Sequence, residues 1–386
     1  MKSYRIKAHF SRRGATVLLS VFLLAMTSST IAIGFLERVS DQYLAVRSSA
    51  DGFRAQQLAL SGFQAGIAAI KDIPEEFLFT SGVALSPPEI ELGRHCREED
   101  STLSETCLIY RVSYIIQPED GKLNLNNLVR NDDLPNENYR QIVRRLFFRL
   151  DLPQDNTDPI IDWIDENTYV EGDGAEHSYY EGLNPPQSIK NFRMFSLSEL
   201  GAIKGFSHDM IYGSRAREGW KEELEQLASL SEDEKNLVTE EDWYLANNIT
   251  AYMPFNETTD DKVNINAARF NVLMSLSDSM TREAVLALFK LRRKNKGYIK
   301  NLAELQHLPE FQVPSVIPGL NLYQELAGSG GEISGMIKTE GAFYRIVGVG
   351  TLVLLTDNGE ERTLATRTVW GIWDKSNRRL VYYTEE

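Results

Sequence analysis

The chain has 386 residues, with 55 acidic against 41 basic side chains and a formal charge of −14. An acidic surface repels nucleic acid and anionic membrane, so neither is expected as a partner of the bulk of the chain. A hydrophobic content of 42% is ordinary for globular domains, and the length allows two or three of them.

The basic charge is concentrated at the start, in Lys2, Arg5, Lys7, Arg12 and Arg13. Ala15 to Leu36 then carries no charged residue. At roughly 1.5 Å per residue such a run makes a helix of about 33 Å, enough to cross a bilayer core. Basic residues before the run hold the N-terminus in the cytoplasm and send the rest across the inner membrane into the periplasm. A cleaved secretory signal peptide and a plain signal anchor are the alternatives; the first has a shorter apolar core. Leu36, Val39, Tyr43, Val46, Phe53, Leu60, Phe63, Ile67 and Ile70 recur at helical spacing, so the helix is expected to continue over residues 37–71.

Cys96 and Cys107 have only His95 nearby, which leaves a zinc or nucleophile role without partners. In an oxidising compartment two thiols pair, and a disulfide is expected. Residues 107–117 read as a strand, as do Phe343–Leu355, Arg362–Trp373 and Arg379–Thr384, with an Asn-Gly turn at Asn358-Gly359. An antiparallel sheet of about four strands follows. Between residues 130 and 330 the pattern is helical. The expected fold is α+β: a leader (1–14), a transmembrane helix (15–36), a sheet domain (37–129 and 331–386) and an inserted all-α domain (130–330). Gly328–Gly335 is the flexible return joint.

A repeat marks this region. Asp120-Gly121-Lys122-Leu123-Asn124-Leu125-Asn126 matches Asp260-Asp261-Lys262-Val263-Asn264-Ile265-Asn266. The second copy opens a segment like a helix-hairpin-helix module, but its turn, Ser277-Asp278-Ser279-Met280, lacks glycine and is acidic. Phosphate binding needs free amides there, so the segment reads as scaffold.

The densest chemistry lies between Leu150 and Ile189, with ten acidic residues and no Lys or Arg. Hydrophobic residues such as Ile160, Ile161, Trp163 and Ile164 are interleaved, unlike in a disordered acidic tail. Asp158, Asp162 and Asp165 fall on one helical face, and Gly172 and Gly174 allow a loop that returns Asp173 and Glu176 towards them. Gathered carboxylates need a cation, and oxygen donors in a flexible loop suit Ca²⁺. A solvated acidic surface and a glycosidase-like carboxylate pair are the other readings. No Gly-x-Ser-x-Gly or His-Glu-x-x-His motif supports an enzyme.

Arg12-Arg13-Gly14-Ala15-Thr16-Val17-Leu18-Leu19 resembles a type IV prepilin cleavage junction. The resemblance implies a prepilin peptidase that cuts between Gly14 and Ala15 and methylates the new N-terminus. That family mostly carries Glu where this chain has Leu19, the residue thought to contact the preceding subunit; its absence suits a subunit at a fibre tip. Ile161-Asp162-Trp163-Ile164-Asp165, Gly174-Ala175-Glu176, Tyr179 or Tyr180, Pro185-Pro186, Asn191, and Leu197-Ser198-Glu199-Leu200 with Gly205 resemble the K-type minor pseudopilin of type II secretion. The resemblance implies a calcium-binding helical domain inserted into a pilin-type sheet domain. It also implies no enzymatic activity, and a place at the pseudopilus tip with I- and J-type minor pseudopilins, next to the inner-membrane secretion platform. The ligands expected from it are Asp162, Asp165, Asn167, Glu171, Asp173 and Glu176. Glu166-Asn167 stands where a second Asp is usual, and Gln187 where an aromatic is common. A minor pilin of a type IV pilus or competence system would share the N-terminal features without the Trp-Ile-Asp insert. A membrane-anchored periplasmic hydrolase is the remaining alternative.

Overall fold

The computed structural model describes residues 12–79, 85–98, 105–213, 225, 237–251, 261–328, 335–356 and 358–385. The leader basics Lys2, Arg5 and Lys7, residue Asp260, and all of the Gly328–Gly335 joint except its two end residues lie outside the described residues. In chain order the helices are α1 (Arg12–Asp72), α2 (Glu75–Leu78), α3 (Glu137–Arg149), α4 (Thr157–Ile164), α5 (His177–Glu181) and α6 (His208–Tyr212). They continue with α7 (Leu245–Asn248), α8 (Phe270–Ser275), α9 (Arg282–Lys294) and α10 (Leu322–Ala327). The strands are β1 (Ile90–Glu98), β2 (Glu105–Pro118), β3 (Leu123–Asn124), β4 (Ile249–Thr250), β5 (Val263–Asn264), β6 (Ile337–Lys338), β7 (Phe343–Leu355), β8 (Glu361–Asp374) and β9 (Arg379–Glu385).

The main sheet has five antiparallel strands in the order β1-β2-β7-β8-β9. The sequence expectation of about four missed β1. Its residues, Ile-Glu-Leu-Gly-Arg-His-Cys-Arg-Glu, carry charges and a glycine because β1 is an edge strand with one paired side. Cys96 and Cys107 sit opposite each other in that register and are bonded.

The half of α1 that precedes the sheet is wholly exposed along its apolar window. Its second half lies on β2, β7 and β8. Only the second part of the stripe of large apolar residues packs: Phe63 and Ile70 are in the core there, with Leu60 and Ile67 against it. Phe53 is 61% exposed, and Val39, Tyr43 and Val46 are exposed too. Buried beside Phe63 and Ile70 are the small residues Ala55, Ala59, Gly62 and Gly66. The reason is the opposing strand: a Cβ on Gly350 would run into the backbone of Ala55 and Ala59. Small residues on both sides let helix and sheet backbones approach.

Between β2 and β7 the chain leaves the sheet and builds a second core from Leu123 to Ile337. The sequence repeat is a repeat in space. Leu123-Asn124 pairs parallel with Ile249-Thr250, and Val263-Asn264 with Ile337-Lys338. In each copy the second Asn is buried and ties two distant segments. Asn126 Nδ2 donates to the carbonyls of Met194 and Ala251, at 3.0 and 3.1 Å. Asn266 Nδ2 donates to those of Ile299 and Thr339, both at 2.9 Å. Each amide oxygen accepts a main-chain N–H in return, from Met194 and from Ile299. Short capped turns follow in both halves, Ser196 with Glu199 and Asn301 with Glu304. A side-chain amide that gives and accepts in a buried site is satisfied only in this one arrangement, so the two asparagines set the path of the chain. The hairpin turn at Ser277–Met280 is covered: Arg145 of α3 donates to the carbonyls of Ser275 and Leu276 and pairs with Asp278.

Where the chain crosses between the cores, buried charges meet. Glu119 accepts from Lys122 at 3.1 Å and from Arg345 at 2.7 Å. Asp120 accepts from Lys338 Nζ and from the amides of Ala342 and Phe343, at 2.8–2.9 Å. Burial pushes the Glu119 carboxyl upward, but Arg345 and Lys122 together outweigh it and hold it below the ordinary value.

Candidate metal centre

The acidic segment folds into α4, a loop over residues 165–176 and α5. α4 buries Ile160, Ile161, Trp163 and Ile164 in the helical core, with Trp163 edge-on to Tyr180. That packing drags the intervening carboxylates inside. Asp162 and Asp165 are 0% and 2% exposed, and Glu176, at the start of α5, is 5% exposed.

The loop turns back tightly onto α4. Gly172 has φ +48°, and a Cβ on Gly174 would collide with the Asp162 carboxylate. Glu171 N donates to Asp162 Oδ1 at 2.9 Å. Among the described residues the opposite oxygen, Asp162 Oδ2, has no hydrogen-bond partner; neither has Asp165 Oδ1, Glu176 Oε1, Glu176 Oε2 or Asn191 Oδ1. Burial pushes Asp162 up to about 6, against the main-chain amides of Glu171 and Ala175 and helped by the charge of Glu176. Burial first, then the charges of Asp133, Asp162 and Glu176, push Asp165 up to about 8. Glu176 is raised for the same leading reason, burial.

Among the described residues no three His, Cys, Asp or Glu groups converge as a finished coordination cage. Yet four buried carboxylate oxygens and an amide oxygen stand without partners. Such groups are costly to leave unpaired, and the orphaned oxygens mark the place where an ion would sit. All the donors are hard oxygens, and these residues fit a calcium-type ion.

The expected ligands separate into two sets. Asp162, Asp165 and Glu176 come together. Asn167 caps the loop by accepting from Tyr169 N at 2.8 Å. Glu171 turns its carboxylate to Arg140 at 3.1 Å and offers Asp162 only its amide. Asp173 is exposed, with its amide on Asp158 Oδ2 at 3.0 Å and its carbonyl accepting from Lys204. Asp158 shares the expected helical face but is held by Arg140 at 2.7 Å. Two groups at the site were not on the expected ligand set. Asp133, whose Oδ1 accepts from Glu166 N at 2.9 Å, arrives from the loop before α3 and carries no local signal. Asn191 was legible only as part of the family signature; its Nδ2 donates to the Asn167 carbonyl.

A long apolar helix running onto an antiparallel sheet, with a helical domain between the sheet's second and third strands, defines the class: a pilin-like fold with a large insert. Residues 121–213 match the family model of Type II secretion system (T2SS), protein K. The type II secretion system protein K of Pectobacterium carotovorum subsp. carotovorum is 26% identical over 203 residues, covering 52% of this chain and 60% of that protein. That of Aeromonas hydrophila is 31% identical over 145 residues, covering 31% of this chain and 40% of that protein. The match thus spans less than two thirds of either relative's length. A solved chain of the GspK-GspI-GspJ complex from the enterotoxigenic Escherichia coli type 2 secretion system aligns with a TM-score of 0.50 at 14% identity. That alignment covers 89% of this chain and 99% of that one, and it shows the shared fold. Over residues 121–213 the chain is thus similar to type II secretion system protein K.

Proposed function

We propose that this chain is a minor pseudopilin of type II protein secretion that starts or caps the pseudopilus at its tip. The observation that carries the reading is the domain at residues 121–213 set into a pilin-type sheet. The exposed half of α1 anchors the chain in the inner membrane before assembly and packs among neighbouring helices afterwards. The bulk of the chain is periplasmic, in line with the basic residues that precede the apolar run. Cleavage between Gly14 and Ala15, with methylation of the new N-terminus, frees the helix for the fibre. The large insert widens the subunit and suits an end position, not a repeated one. I- and J-type minor pseudopilins are its partners at the tip, and the inner-membrane platform is where it assembles. It acts as a structural subunit with no turnover of its own.

Asp162, Asp165 and Glu176 hold a structural Ca²⁺ in the insert, with Asn191 beside them. The ion supplies positive charge and oxygen coordination to carboxylates that the fold has already buried. Purification of the full chain from its host in detergent tests the assembly reading. Co-purification of I- and J-type subunits, and loss of secretion when the chain is deleted, are expected. Undisturbed secretion together with no association would refute it. Mass spectrometry of the mature N-terminus tests the processing step separately.

A further inference from the structure

The ten acidic residues between Leu150 and Ile189 are not one cluster. In one half, Arg140 of α3 reaches in from outside the acidic segment. Its Nη2 donates to Asp158 Oδ1 at 2.7 Å, and its Nη1 donates to Glu171 Oε1 at 3.1 Å and to Glu137 Oε2 at 3.3 Å. The other bonds of Asp158 are filled as well: Thr157 Oγ1 donates to Oδ1 at 3.1 Å and Asp173 N to Oδ2 at 3.0 Å. In the other half, Asp162, Asp165 and Glu176 leave four buried oxygens with no donor.

We propose that Arg140 is a resident cation that neutralises the Asp158–Glu171 half, so that the loop takes up one divalent ion and not two. A guanidinium is permanently charged and offers its donors in a fixed fork, which matches two carboxylates held at set positions. It fills the gap between Asp158 and Glu171, where an ion would need oxygens at roughly 2.3–2.6 Å. Its side chain is 11% exposed, and that of Asp158 is 5% exposed, so water supplies little of the compensation. The two halves are also joined, because the residue whose carboxylate Arg140 holds donates its amide to Asp162. The stoichiometry of one rests on the calcium reading; the neutralising role of Arg140 does not.

The test is a count of bound calcium by native mass spectrometry on the full chain in detergent micelles. The wild type is expected to carry one ion, and Arg140→Gln one more than the wild type, since Asp158 and Glu171 are then left as two bare carboxylates. An unchanged count in Arg140→Gln, or two ions on the wild type, overturns the proposal. A wild type that binds none sinks the calcium reading instead, and the difference between variant and wild type still decides the role of Arg140. Glu171→Gln changes a half-buried carboxylate and guards against misfolding of the first variant. If Arg140 holds Glu171, calcium affinity stays within about threefold of wild type, against the tenfold or more typical of a lost ligand or its support. A larger loss puts Glu171 on the ion and overturns the assignment.

Discussion

Replacement of Asp120 by alanine should uncouple the sheet from the helical insert. Asp120 is 2% exposed and sits at the outgoing crossing, while its partners sit at the return crossing. Its carboxylate accepts from Lys338 Nζ and Ala342 N at 2.9 Å and from Phe343 N at 2.8 Å. The variant removes a buried acceptor from two main-chain amides and a carboxylate from an ammonium. Breaking a buried pair costs about 3–5 kcal/mol, and an amide stripped of its acceptor about 1–3. The Lys338 side chain keeps 19% of its exposure and turns to water, which lowers the first figure. A net loss of about 3 kcal/mol is expected. Asp120→Asn keeps an oxygen for the amides and should lose about 1 kcal/mol. Urea unfolding of the full chain in detergent, followed by tryptophan fluorescence, measures both. Limited proteolysis should then cut the alanine variant faster between the two cores. A loss below about 1 kcal/mol for alanine, or equal losses for the two variants, would refute the assignment of Asp120 as the joint.

Gly350→Val forces a side chain against the backbone of Ala55 and Ala59, at the upper end of overpacking costs, about 3 kcal/mol. Thermal melting should fall by roughly 6 °C or more, and a change within about 2 °C would mean that helix and sheet are not so closely packed. The Cys96–Cys107 bond closes a loop with a sequence separation of 11, for which the chain-entropy estimate is about 3 kcal/mol. Paired serine substitution should cost that much, and a smaller loss than about 1 kcal/mol would show that the bond does not constrain the unfolded chain. Asp162 and Asp165, raised to about 6 and about 8, bind protons better folded than unfolded. Their contribution to metal-free stability is therefore present in acid and lost as pH rises through those two values. Calcium must displace the same protons, so the calcium-induced rise in melting temperature should grow from pH 5 to pH 8. A rise that is larger at pH 5 would count against these carboxylates as ligands.

What the sequence determined by itself is local. Hydrophobic runs and turn residues placed β2, β7, β8 and β9 within two residues of their ends, because β-branched and aromatic side chains suit a half-buried pleat wherever it lies. The apolar run and its helical continuation placed α1, and the Asn-x-Asn copies marked the two halves of the insert. Tertiary structure decided the rest. β1 has no strong pattern and exists through its pairing with β2. The close approach of α1 to the sheet depends on the glycines of a strand almost three hundred residues away, so of the stripe of large side chains Phe63 and Ile70 are buried while Phe53 and those before it face outward. Asn126 and Asn266 were visible in sequence only as members of the repeat and are buried ties in space. The acidic segment shows the division most clearly. Beside the reading of a solvated acidic surface, its composition raised the expectation of a cation. Which carboxylates still lack one depended on Arg140, 18 residues before Asp158, because charge balance is a matter of distance in space and not along the chain.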